Sequence, residues 1–506
     1  MKAGRWAISS WRRPVVAAAA GALPVLAFPE PDWWWSAPVV LVPWLLLIRT
    51  APTGGRAALD GWCGGFGLML AAHHWLLPSL HVFTPVLAAL LGALWAPWGA
   101  LARRLLTGAP SARRAVAALL ALPSGWLMIE LVRSWQGLGG PWAMLGASQW
   151  QTAPALALAS VGGVWLLSLL LVCVNTAVTL LLAVGSARRV AAAALAVVAV
   201  ATASAWAWAP RPAPGGTARI ALVQPGVVSG ADGPERRFAL QERFTREPAL
   251  RGEELDLVVW GESSVGEDLA TRPDLARRLA ALSRETGAPL LVNVDARRSD
   301  RPGIFKSSVL IGPEGPTGDR YDKMRLVPFG EYVPLRSMLG WATSVGRAAD
   351  EDRRRGTAPV VMDAAPGLRL GPLVCFESAF PDMSRHLAAE GAGLLVVQSS
   401  TSTFQRTWAP EQHASLAALR AAETGVPTAH ATLTGVSAVY DGSGRAVGPR
   451  LGTSERGVSV HTVHLAGPGA TLYTTWGAWP LPCAAGVLAA LAATAAAARL
   501  RARRDR

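Results

Sequence analysis

Three short segments hold polar side chains where apolar runs end: VVWGESS with Glu262, YDKMRLVPFGEYVP with Lys323 and Glu331, and GPLVCFESAFPD with Cys375 and Glu377. A layered α/β domain presents functional groups in such places, just after a strand or in a Gly/Pro turn. A thiol, an amine and carboxylates together suit nucleophilic catalysis, in which a base takes the thiol proton, the thiolate attacks an acyl carbon and a cation holds the oxyanion. Each residue also has a plainer reading. Cys375 ends an apolar run, as buried core thiols do, and a lone Glu262 reads as a capping or salt-bridged glutamate. Against this, a single thiol on an oxidising exterior is either shielded or kept for reactivity, and a neighbouring Lys and Glu favour the thiolate. Glu262 follows the apolar Val258, Val259 and Trp260 with only Gly261 between, and such surroundings are expected to raise its pKa towards the range of a general base.

These residues need a scaffold. The stretch that carries them, roughly 216–466, alternates short β-type runs with stretches of helical period rich in Ala, Leu, Arg and Glu. The predicted strands are 219–224, 256–263, 289–294, 307–311, 370–376, 394–398, 428–440 and 458–464, and the predicted helices 234–244, 272–286 and 412–424. The alternation reads as one α/β domain of layered architecture.

Outside this stretch the 506-residue chain changes in kind. Hydrophobic residues make up 51% of it and its mean hydropathy is +0.30, values high for a wholly soluble protein. Eight apolar runs approach the length that crosses about 30 Å of hydrocarbon: 14–28, 34–48, 61–80, 84–106, 115–132, 163–184, 190–209 and 477–498. Pro24, Pro38 and Pro43 blur the bounds of the first two. A cleaved signal peptide is the competing reading of the first, opposed by the apolar run that follows at once and by the lack of a clean small-residue cleavage site. The predicted architecture is thus a multi-pass α-helical membrane bundle of about eight spans plus an extracytoplasmic α/β domain. Its parts are a bundle of about seven spans over 1–215, a catalytic domain over 216–466, and a transmembrane helix with a basic tail over 467–506.

The net charge of +14 does not form one basic face of the kind that binds nucleic acid, and no nucleic-acid partner is expected. The basic residues cluster beside the apolar runs: Lys2, Arg5, Arg12 and Arg13; Arg49 and Arg56; Arg103, Arg104, Arg113 and Arg114; Arg188 and Arg189; and five arginines from Arg499 to Arg506. All five groups fall on one side of an eight-span arrangement, which the positive-inside rule makes cytoplasmic. Both termini are then cytoplasmic, and the α/β domain faces the exterior or periplasm. Four cysteines are too few for a disulfide framework. No Cys and His spacing suits zinc, so neither a metal nor a cofactor is expected. Nothing marks an oligomer, and a monomer is expected.

Together the three segments resemble the nitrilase superfamily, whose Glu–Lys–Cys triad stands in this chain order on an αββα sandwich. The resemblance implies Glu262 as general base, Lys323 as stabiliser of the oxyanion and Cys375 as the nucleophile that forms a thioester. The apolar spans narrow it. With GALPVLAFPEPDWWW, PSGWLMIELVRSW, GPWAMLGASQ and GEYVP, nearly the whole chain resembles the membrane-embedded branch, the apolipoprotein N-acyltransferases. That likeness implies acyl transfer from a membrane phospholipid to the amino terminus of diacylglyceryl-modified apolipoproteins at the bacterial cell membrane. It also makes Glu331 and Glu377 supporting carboxylates that position Lys323 and the cysteine loop. Three departures stand out: Phe376 where the family often has tyrosine, QSSTSTFQ over 398–405 in place of an Asn-Asp-Ala-Trp-Phe-like segment, and no tryptophan after Gln224 and Pro225. The rival readings are a membrane-anchored amidohydrolase, with water as acceptor, and a catalytically silent binding homologue.

Other polar residues have weaker claims. His73 and His74 lie within the third run but point to different faces. Glu130 and Arg133 are spaced as a structural pair on a helix. The arm over 335–345, with Met338, Leu339 and Trp341, either dips into the outer leaflet or packs on the sandwich. The tryptophans from Trp135 to Trp150 read as an interfacial belt.

Overall fold

The computed structural model describes residues 11–334, 336–339 and 351–504. Most of the 335–345 arm lies outside the described residues; its remainder is one helical turn, Arg336–Leu339. The chain forms two compact units. One comprises Met1–Gln149, Trp165–Ser204 and Ala478–Arg506, the other Trp150–Val164 and Ala205–Gly477.

The first unit is helical. Among the described residues of the whole chain, four helices are long and apolar enough to cross a membrane: Ala112–Arg133, Ala153–Ala183, Gly185–Trp208 and Pro480–Ala502, the second of them kinked at Gly162 and Gly163, with its part up to Val164 belonging to the other unit. The pair Phe83–Gly92 and Trp95–Leu106, bent by 40°, makes a fifth if it counts as one span. That is fewer than the eight expected, and the cause is local. The first run is an α-helix, Arg13–Ala22, that passes into a 3-10 helix, Leu23–Ala27, at Pro24. The second is α-helical only over Val42–Arg49, about 12 Å at 1.5 Å per residue. The third, Gly54–Ala72, carries Arg56 and the fully buried Asp60, whose carboxylate is paired with Arg13 at 2.7 Å and Arg56 at 3.3 Å.

Small residues let these helices touch: a Cβ on Gly21 would lie 2.0 Å from the Gly64 carbonyl oxygen, and one on Gly65 2.4 Å from that of Gly92. Trp44, Trp95, Trp98 and Trp126 fill the core, with ring centroids 5.3 to 6.2 Å apart. Glu130 and Arg133 each bond the following loop: Glu130 accepts from the Leu145 amide at 2.8 Å, and Arg133 donates to the Ala143 carbonyl at 2.8 Å. His73 and His74 each bond a carbonyl of the preceding turn.

The second unit is a sandwich of two six-stranded sheets. The first holds β1 (Pro214–Gln224), β2 (Leu257–Trp260), β3 (Leu290–Arg297), β4 (Ile304–Gly312) and β5 (Gly315–Asp322). The second holds β6 (Met362–Ala365), β7 (Leu368–Val374), β8 (Leu394–Ser399), β9 (Thr428–Thr432), β10 (Ser437–Tyr440) and β11 (Ala446–Leu451). The last strand, β12 (Gly457–Ala466), returns to the first sheet beside β1, giving the orders 12-1-2-3-4-5 and 11-10-9-8-7-6.

Each sheet repeats one plan: three parallel strands, β1-β2-β3 or β7-β8-β9, then two antiparallel ones. Crossover helices Gly233–Leu250 and Pro273–Thr286 belong to the first sheet, Pro381–Ala389 and Ala409–Thr424 to the second. Strands β2 and β8 are buried along their whole length, as parallel strands covered on both faces must be. The sheets meet through polar bridges: Gln398 donates to the Trp260 and Leu291 carbonyls at 2.8 and 3.1 Å and accepts from the Ser308 hydroxyl at 2.5 Å.

Candidate active site

Three strand ends deliver the residues singled out in the sequence. Glu262 stands two residues past β2, and its amide donates to the Ser399 carbonyl at the end of β8 at 3.1 Å. A Cβ on the intervening Gly261 would fall 1.9 Å from the Leu433 nitrogen, so only glycine lets β2 pass this close to the other sheet. Lys323 follows β5, and its amide donates to the Lys306 carbonyl at 2.8 Å. Cys375 follows β7 at φ +51°, a left-handed conformation that a non-glycine residue adopts only where its surroundings enforce it.

The charged groups form a closed array. The Lys323 ammonium lies 3.1 Å from Glu262 Oε1 and 2.8 Å from Glu331 Oε1. A second lysine, Lys306 on β4, lies 2.8 Å from Glu262 Oε1 and 2.9 Å from Glu331 Oε1. Lys323 is 0% exposed, Glu262 3% and Glu331 4%. Burial works against the ionised form of Glu262, but Lys306 and Lys323 outweigh it and hold its pKa at about 2. The apolar approach through Trp260 predicted the opposite direction. Burial likewise opposes ionisation of Glu331, and Lys323 and Lys306 again pull its pKa down. For the Cys375 thiol, burial and then the Glu262 charge push the pKa up to about 12, with both lysines pulling the other way. The resting arrangement is therefore a neutral thiol facing an ionised Glu262.

Glu377 does different work. Its Oε1 accepts from the Tyr321 hydroxyl at 2.7 Å and from the Met324 and Arg325 amides at 2.7 and 3.0 Å, while Oε2 accepts from the Val374 amide at 2.8 Å. It thereby joins the turn beside Lys323 to the residue before Cys375, fully buried. A cavity of about 420 Å³ under the helix Pro273–Thr286 is lined by none of these five residues, so the candidate site rests on the array of charges. Among the described residues no group of three or more His, Cys, Asp and Glu is placed to hold a metal ion.

Comparison with known proteins now decides the family. Residues 219–472 match the carbon-nitrogen hydrolase family, and residues 20–177 match the apolipoprotein N-acyltransferase N-terminal domain. An apolipoprotein N-acyltransferase from Azotobacter vinelandii is 34% identical over 93% of this chain and 93% of its own length. The one from Pseudomonas syringae pv. tomato is 31% identical over 93% and 94%. The chain belongs to the apolipoprotein N-acyltransferase family. Solved structures similar to part of it include an amidase of the nitrilase superfamily from Nesterenkonia AN1, at 21% identity and a TM-score of 0.35 over 51% of this chain and 93% of that one. Saccharomyces cerevisiae Nit3, also of that superfamily, has 17% identity and a TM-score of 0.38 over 49% and 90%. The family and the apolar helices together make the chain a membrane protein.

Two residues of this family member escaped the sequence reading. Lys306 begins the inward-facing alternation of β4: Ser308, two residues on, bonds Gln398 of the other sheet, so Lys306 faces the same way. That register was the available signal. His413, on the helix Ala409–Thr424, lies behind the cysteine, with Nε2 3.0 Å from the Cys375 carbonyl and from the Ser378 hydroxyl, and Nδ1 3.0 Å from the Ser399 hydroxyl. No sequence spacing pointed to it. The departing 398–405 segment begins with Gln398, the buried bridge between the sheets.

Proposed function

We propose that the chain moves a fatty acyl group from a membrane phospholipid, through a thioester on Cys375, to the α-amino group of the N-terminal S-diacylglyceryl-cysteine of apolipoproteins. The observation that carries this reading is the Glu262–Lys323–Glu331 array, whose charges bear on a conformationally constrained Cys375 in a member of this family.

In the first half-reaction Glu262 takes the thiol proton as sulfur attacks the ester carbonyl. Because the resting thiol is neutral, proton transfer and C–S bond formation proceed together. The oxyanion of the tetrahedral intermediate lies against the Lys323 ammonium and a backbone N–H near Cys375. Collapse breaks the C–O bond, and Glu262 returns the proton to the departing lysophospholipid. In the second half, Glu262 takes a proton from the incoming ammonium-derived amine as it attacks the thioester. The C–S bond then breaks as Glu262 returns that proton to the sulfur, giving the amide and the free Cys375 thiol. Glu331 and Glu377 act as positioning residues, on Lys323 and on the cysteine loop respectively.

In the proposed topology all eight apolar runs contribute crossings, three of them as short or interrupted helices, with both termini cytoplasmic, the catalytic domain extracytoplasmic and the protein working as a monomer. Supporting it are the basic clusters on one side of the runs. Mass spectrometry of the full-length protein incubated with phospholipid tests the chemistry. A hydroxylamine-sensitive acyl adduct on Cys375, absent in Cys375→Ala and passing to the amine of a diacylglyceryl-cysteine peptide, is expected. An adduct lost only to water would replace transfer with hydrolysis, and no adduct on folded protein would overturn the reading.

A further inference from the structure

Lys323 alone cannot balance its surroundings. Two carboxylates, Glu262 and Glu331, touch its ammonium within 3.1 Å, and two carboxylates sharing one buried cation leave an uncompensated negative charge, which drives one of them to take up a proton. Lys306 supplies the missing charge. It reaches the same two oxygens from the opposite strand, at 2.8 and 2.9 Å, so that each Oε1 lies between two ammonium groups.

We propose that Lys306 is a positioning residue for acyl transfer: it clamps Glu262 against Glu331, keeps both ionised, and leaves Lys323 a full cation for the oxyanion. The inference rests on Glu262 as the proton acceptor. Among the described residues the groups facing Lys306 are Glu262 after β2, Asp295 of β3 at 3.8 Å, Glu331 in the turn, Lys323 after β5 and the Cys375 thiol after β7. Asp295 is held in turn by Arg353 at 3.5 Å and by the Ser263 hydroxyl at 3.2 Å. Asp295 and Lys306 are direct cross-strand partners in the β3–β4 ladder, which fixes the ammonium at the mouth of the array.

The test is the pH dependence of thioester formation on Cys375, measured by intact-protein mass spectrometry on the full chain in detergent micelles with phosphatidylethanolamine as donor. Wild type is expected to show no acid limb down to about pH 4. In Lys306→Met an acid limb appears within that range, at about pH 4–5, a rise of about 2–3 units that lies within the usual effect of one opposite charge at this distance. Lys306→Arg, which keeps the charge, restores the wild-type profile. A Lys306→Met profile that superposes on wild type, or that falls by the same factor at every pH, overturns the proposal. Should the methionine variant fail to fold, Lys306→Gln carries the same expectation. Glu262→Gln separates the two ideas. If it retains thioester formation, the base assignment falls whatever Lys306 does; if it abolishes it while Lys306→Met leaves the limb unmoved, only the role of Lys306 falls.

Discussion

Replacing Glu377 with alanine removes four hydrogen bonds at once and leaves their donors unmet, the buried Tyr321 hydroxyl and Val374 amide and the half-buried Met324 and Arg325 amides. A buried donor left unmet costs about 1–3 kcal/mol. Four at the low end total about 4 kcal/mol, and relief from burying the carboxylate itself, whose pKa burial pushes up, offsets part of this, leaving about 3 kcal/mol. For a domain of this size that is a fall in apparent Tm of roughly 6–12 °C.

The loss is not only one of stability. Two of the stranded amides adjoin Lys323 and the third adjoins Cys375, so the proposed nucleophile and the proposed oxyanion cation lose their common anchor. A misplacement near 1 Å costs on the order of a hundredfold in rate. Glu377→Gln is the graded control: its single carbonyl oxygen can serve only one side, and its amide nitrogen meets a donor on the other. It should fall between alanine and wild type in both measures. Thermal unfolding at one fixed scan rate, with single-turnover thioester formation below the unfolding range, reads the two effects separately. An alanine variant within 2 °C and twofold of wild type would refute the idea that Glu377 joins the two loops.

Two further outcomes follow from groups behind the site. The Cys375 carbonyl can only accept, so His413 carries its proton on Nε2 and takes the Ser399 hydroxyl at Nδ1. His413→Phe should slow thioester formation about tenfold, the value of about 1.4 kcal/mol of lost anchoring on a strained residue, and an unchanged single-turnover rate would sink that role. Glu423 lies 2.9 Å from Arg420 and accepts from the Val164 amide at 2.7 Å, and burial raises its pKa to about 7 despite Arg420. A carboxyl whose folded pKa is raised binds more protons folded than unfolded, so its stabilising contribution is full below about pH 4.5 and is lost as pH rises through 7. Wild type should therefore lose about 3 kcal/mol across that window that Glu423→Gln does not lose, read as apparent Tm against pH.

The sandwich was legible where strands are buried and obscure where they are not. Every strand predicted from apolar runs forms, including 428–440, which the turn at Gly435 (φ +142°) divides into β9 and β10. The missed strands are β5, β6 and β11, which lie at sheet edges. β11 has no buried residue, and an edge strand without alternating buried positions carries no apolar signature, whereas β12, also at an edge, alternates and is legible. In the helical unit the apolar runs were visible but their breaks were not. Gly54–Ala72 keeps Asp60 in the interior by pairing it with Arg13, 47 residues away, a compensation that no local window contains.

The site divides along the same line. Glu262, Lys323, Glu331, Cys375 and Glu377 fall in short segments where apolar runs end, and the fold brings those segments together. Lys306 and His413 reach the site from neighbouring elements of the same two sheets, one through the register of β4 and the other through a helix that follows β8. Their missing contribution reversed the expected acidity of Glu262. An apolar strand before a carboxylate raises its pKa only if nothing charged arrives from elsewhere in the chain, and here two ammonium groups do. The direction of a buried group's pKa is thus a property of contacts distant in sequence, and the cation that decides it stands 44 residues from Glu262, on a different strand.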